Sequence, residues 1–99
     1  MYKLAAVFPR VERFRLVDQI TRSAASIAAN VAEGHERGTR KDYAHFVSIA
    51  RGSLAETETF LTLAERLGYA TSAQAAEVGA LAEEVGKMLN ALLARLRKP

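Results

Sequence analysis

The chain has 99 residues, no cysteine, 49% hydrophobic residues and a formal net charge of +3. That length predicts a single domain spanning residues 1–99, and the absence of thiols excludes disulfides, thiolate metal sites and a cysteine nucleophile. No run approaches the roughly 18 consecutive apolar residues of a membrane span, and Met1 to Arg10 lacks the long apolar run and cleavage site of a signal peptide, so a cytoplasmic location is expected.

Ala and Leu dominate the apolar residues, which favours helices over sheet because both lose little rotamer freedom there. Pro9 is expected to end a first short helix whose apolar face is Tyr2, Leu4, Ala5 and Phe8. Arg10 to Arg15 is charge-rich and reads as a turn with a short irregular helix.

A second helix is predicted from about Leu16 to Glu33, with Ile20, Ala24, Ile27 and Val31 on one stripe. Gly34 is read as its left-handed stop. Beside the apolar stripe runs a polar row, Gln19, Ser23, Ser26, Asn30 and Glu33. It reads either as a partly wet boundary or as a polar seam at a subunit or inter-helix contact, where a buried Asn sets register. Small neighbours, including Ala24, Ala28, Gly52 and Ser53, would let another helix approach closely.

The segment Gly34-His35-Glu36-Arg37-Gly38-Thr39-Arg40 reads as an exposed loop. Thr39, with Asp42 three residues on, is predicted to cap a third helix reaching about Leu67. Its stripe is Tyr43, Phe46, Val47, Ala50, Leu54, Phe60, Leu61, Ala64 and Leu67, flanked by Ile49 and Leu63. So wide an apolar arc implies more than one neighbour. Gly68 closes this helix and Thr71, with Gln74 at the capping-box position, opens a fourth. Val78, Leu81, Ala82, Val85, Met88, Leu89, Leu92 and Leu96 form a heptad-like stripe on it. Arg95, Arg97 and Lys98 suit the negative end of its dipole.

These elements predict an all-α, up-and-down antiparallel four-helix bundle with a shortened first helix. The third helix would be about 40 Å long and the first about 12 Å. Such a first helix leaves the groove along the third and fourth helices uncovered. Either the true start lies upstream of Met1 or a neighbouring subunit covers the groove, so a homo-oligomer is expected.

Catalytic constellations are not recognisable. His35 and His45 have no two-ligand helical spacing, and Glu83 with Glu84 point to different sides of a helix. No enzyme activity, metal, cofactor or small-molecule substrate is expected. The pI near 9.6 permits nucleic-acid contact without demanding it. Candidate phosphate-binding residues are Arg13, Arg15, Arg22, Arg37, Arg40, Lys41 and Arg51, interspersed with Glu12, Asp18, Glu36 and Asp42.

Several runs carry a family resemblance. Tyr2-Lys3-Leu4, Phe8-Pro9, Arg22-Ser23-Ala24-Ala25-Ser26-Ile27, Asn30-Val31-Ala32-Glu33-Gly34, Ile49-Ala50-Arg51-Gly52-Ser53-Leu54 and Leu67-Gly68-Tyr69 resemble the four helix bundle protein family, which includes proteins encoded in 23S rRNA intervening sequences. The resemblance implies an up-and-down bundle, a ring-like homopentamer, no activity, and roughly twenty further residues before Tyr2. Ala28 stands where the family usually has proline. The link to ribosomal RNA lies in where some genes sit, and a similar bundle partners a reverse transcriptase. RNA, or an RNA-protein partner, is thus the implied ligand, with a protein-interaction scaffold as the alternative.

Overall fold

Helix punctuation sets both turns of the fold. In the computed structural model, which describes the backbone of residues 2–99 and the side chains of residues 10–99, three helices follow one another: α1 (Tyr2–Glu36), α2 (Arg40–Arg66) and α3 (Ser72–Leu96). Thr39 Oγ1 accepts from the Asp42 amide at 3.1 Å and starts α2. Thr71 and Gln74 exchange reciprocal side-chain to backbone bonds, a complete capping box, and start α3. At the end of α2, Gly68 sits at φ 76°. There the Tyr69 amide donates to the Ala64 carbonyl and the Gly68 amide to Glu65, the paired bonds of a Schellman close.

The expected four-helix bundle is therefore corrected to three helices among the described residues. The first two predicted helices are one. Backbone helix runs continuously across Pro9 and through Arg10 to Arg15. Proline removes one donor and disfavours a helix interior by about 3 kcal/mol, but Arg10 to Arg15 is composed largely of good helix formers. The apolar face proposed for Tyr2, Leu4, Ala5 and Phe8 lies outside the described residues. Gly34 is corrected too: it is helical and buried inside α1, and the left-handed glycine of the turn is Gly38 at φ 83°.

The helices lie side by side. α1 and α3 each pack on α2, and among the described residues their backbones do not meet. The molecule measures 62 × 24 × 13 Å. Three helices in one row, at about 8–10 Å between axes, span roughly 21–25 Å, which matches the middle dimension. The radius of gyration is 16.7 Å, against about 13 Å for a globular domain of this length. The fold is an open layer with one helix thickness of cover.

A layer of this kind has little interior. Its central cluster is Val47, Ala50 and Leu54 of α2 with Ala82, Leu89 and Leu93 of α3, and Val47 is its one large side chain without exposure. Of the expected stripe of the last helix, Ala82 and Leu89 are buried and Val85, Leu92 and Leu96 pack against the cluster. Small residues Ala75, Gly79, Ala82 and Gly86 run toward α2, while Leu81 and Met88 of that stripe stay 59% and 66% exposed. A Cβ on Gly86 would stand 3.2 Å from Leu54 Cδ2, so small residues there let α3 approach α2 closely.

Candidate functional site

The α1–α2 contact is built from hydroxyls. Ser23, Ser26 and Asn30 recur every three or four residues on α1, and Ser53 and Thr57 answer them at one-turn spacing on α2. Thr57 Oγ1 lies 2.8 Å from both Ser23 Oγ and the Ser53 carbonyl, and its single proton is shared between these two acceptors. Ser26 and Ser53 share a hydroxyl bond of 2.9 Å. Asn30 Nδ2 donates to the Ser26 carbonyl at 2.8 Å and to its hydroxyl at 3.0 Å. Among the described residues no buried side-chain polar atom is left without a partner, so the seam does not carry the desolvation penalty of orphaned groups.

Two members of the polar row, Ser23 and Ser26, thus meet α2 of the same chain, and Asn30 backs Ser26 from within α1. The other two do not: Gln19 is exposed, and Glu33 is exposed and paired with Arg37 at 2.9 Å. Gly52 is exposed as well, and a Cβ there would meet nothing within 4 Å. Thr57 escaped the sequence reading, although its spacing from Ser53 mirrors the row on α1. Thr57→Val keeps the side-chain shape and removes the hydroxyl. The expected loss is about 1 kcal/mol, read as a melting temperature lower by about 4–8 °C; an unchanged melting curve would show that the seam adds no stability.

One face of the layer is an apolar groove of about 730 Å³ between α1 and α3, lined by Ile27, Val31, Tyr43, Val85, Met88 and Leu92. The His35 ring meets the Tyr43 ring edge-on at its rim, with centroids 5.6 Å apart. Beyond the groove, Phe14 and Val17 of α1 are 74% and 54% exposed. No metal-binding group of three His, Cys, Asp or Glu side chains occurs among the described residues. No helix there is long and apolar enough to cross a membrane.

The seven candidate phosphate-binding residues are all exposed, and they fall in separate places. Arg13 lies beside Phe14 and Val17, and Arg15 beside Leu67 and Tyr69, toward the end where α2 finishes. Arg22 is paired with Asp18 at 2.9 Å. Arg37, Arg40 and Lys41 gather at the α1–α2 turn, where the Arg37 guanidinium also sits 5.0 Å over the Phe46 ring. Arg51 lies on α2. Among the described residues, Arg40, Lys41 and Arg51 have no carboxylate within ion-pair distance.

Residues 1–91 match the family described as 23S rRNA-intervening sequence protein. The chain belongs to that family. Among solved structures it is similar to a protein of unknown function from the S23 ribosomal protein family of Bacteroides thetaiotaomicron VPI-5482. The two share 32% identity at a TM-score of 0.76, over 79% of this chain and 72% of that one. No curated protein matches the chain. Family membership therefore rests on nearly the whole chain, the hydroxyl seam and the basic turn included.

Proposed function

We propose that this member of the 23S rRNA-intervening sequence family is a non-enzymatic helical module of the cytoplasm that assembles with copies of itself and associates with structured RNA, or an RNA-protein partner, through basic side chains. The observation that carries the reading is the exposed set Arg40, Lys41 and Arg51 on α2, which among the described residues have no carboxylate within ion-pair distance. Such groups bind phosphates as forked or point donors, with an affinity that falls as salt rises. Copies of the chain repeat the same weak contacts, and avidity multiplies them. The family's name ties it to ribosomal RNA. The non-enzymatic part of the reading is supported by the sequence, where no clustered acid, base and nucleophile is recognisable.

A second reading, a protein-interaction scaffold with no nucleic-acid role, draws on the apolar groove. Mass measurement in solution separates the two, with and without a structured RNA and at two salt concentrations. The RNA reading expects a complex heavier than the protein assembly at low salt that dissociates at high salt. An assembly whose mass ignores RNA at both salts, and which retains a protein partner after nuclease treatment, would favour the scaffold.

A further inference from the structure

The fold sorts charge along its length. Three contacts set the level of the helices against each other: Ser26 to Ser53, Gly34 against Phe46, and Arg97 Nη2 to Ser48 Oγ at 3.2 Å. Residues 28–36 of α1, the turn 37–39, residues 40–51 of α2 and residues 90–99 at the close of α3 therefore share one end of the layer. That end has seven basic side chains (Arg37, Arg40, Lys41, Arg51, Arg95, Arg97 and Lys98) against three acidic ones (Glu33, Glu36 and Asp42). It carries a net +4, while the whole chain carries only +3. The remainder of the molecule, despite Arg13, Arg15 and Arg22, is not basic on balance.

Resting on the RNA reading above, we infer that this end of the layer, and not the basic residues of α1, is the surface that contacts RNA phosphates. Helix termini account for a minor part of the charge. The C-termini of α1 and α3 and the N-terminus of α2 meet there, and their dipoles sum to about −0.5, leaving a surplus of more than three. Arg97 donates to the Ser48 hydroxyl of α2, and Arg51 lies one turn on from Ser48 along the same helix, so the two positions are neighbours on one rigid element. Arg40 and Lys41 add to them from the first turn of α2. Forked donors of this kind match phosphate oxygens, and A-form RNA is recognised largely through its phosphates and 2′-hydroxyls. Arg15 and Arg37 are separated by about 33 Å of helix, roughly three times the Debye length of about 10 Å near 0.1 M salt. The two regions consequently act as independent patches.

The test uses the full chain and an end-labelled RNA stem-loop, with affinity measured by fluorescence anisotropy across a salt series. One variant carries Arg40→Gln, Lys41→Gln and Arg97→Gln. A second carries Arg13→Gln, Arg15→Gln and Arg22→Gln. All six positions are exposed, and circular dichroism checks that both variants keep the parent helicity. The first variant is expected to lower the salt slope by about one per residue removed, and the second to leave it close to the parent. Equal losses in both variants, or a loss in the second alone, would overturn the assignment to this end while the RNA reading stands. Parent protein that shows no salt-dependent binding would overturn the RNA reading, and this inference with it.

Discussion

Gly34→Ala is expected to destabilise the protein by about 2 kcal/mol, lowering its melting temperature by about 10 °C. In most helices the change would help, because alanine is favoured over glycine by about 1 kcal/mol per residue. Here the sign reverses. Gly34 is buried in the last turns of α1, where α1 meets α2. A Cβ there would stand 2.7 Å from the Phe46 Cβ, 3.1 Å from the Tyr43 ring and 3.2 Å from the Tyr43 carbonyl oxygen. No rotamer change moves a Cβ or a carbonyl, so the helices must separate. Separation loosens the neighbouring hydroxyl seam, whose bonds run between 2.8 and 3.0 Å. Gly86→Ala is the internal control. Its new Cβ would meet only the end of the flexible Leu54 side chain at 3.2 Å, so its cost is small beside the propensity gain. Thermal unfolding of both variants checks the contrast, and equal melting temperatures for the two would refute the close-approach role of Gly34.

The punctuation of the helices is legible without the structure. Thr39 with Asp42, Thr71 with Gln74, and Gly68 each act locally, through hydrogen bonds spanning a few residues. What failed was non-local. Proline at position 9 argues for a break when read by propensity alone, yet the backbone carries helix across it. Gly34 reads as a stop because glycine is enriched there, yet its function is to admit Phe46, a residue twelve positions away. The last helix is ambiguous because it is apolar nearly all round. Val78, Leu81, Val85, Met88 and Leu92 offer one plausible core face and Ala75, Ala82, Leu89 and Leu93 another. The core takes the second, with Val85 and Leu92 packed at its edge, and Gly86 brings α3 close to the Leu54 side chain. The candidate phosphate-binding residues were legible as a set, but their division between two ends was not. It depends on the antiparallel register, which brings Arg97 to Ser48 across 49 positions of sequence.

Replacing Leu81 and Met88 together with glutamate is expected to turn the proposed assembly into single subunits with unchanged helicity. Met88 lines the groove and is 66% exposed, and Leu81, seven residues earlier on the same side of α3, is 59% exposed. In an isolated chain they already meet water, so charge there costs little and the helix keeps its residues. In an assembly that covers this face they would be buried. Each buried Leu or Met side chain contributes about 1.5–3 kcal/mol, so the pair contributes roughly 3–6 kcal/mol, or about 10²–10⁴ in the association constant. Glutamates forced into an apolar contact add a desolvation penalty to that loss. The geometry explains why so small a change has so large an expected effect. Among the described residues Val47 is the one large side chain fully out of water, so this one-layer fold leaves apolar surface open, and the proposed self-association would cover the groove face. Light scattering on parent and variant at matched concentration reads the outcome. A parent that is already a single subunit, or a variant that keeps the parent mass, would show that the groove face is not where copies meet. It would also remove the avidity on which the RNA reading draws.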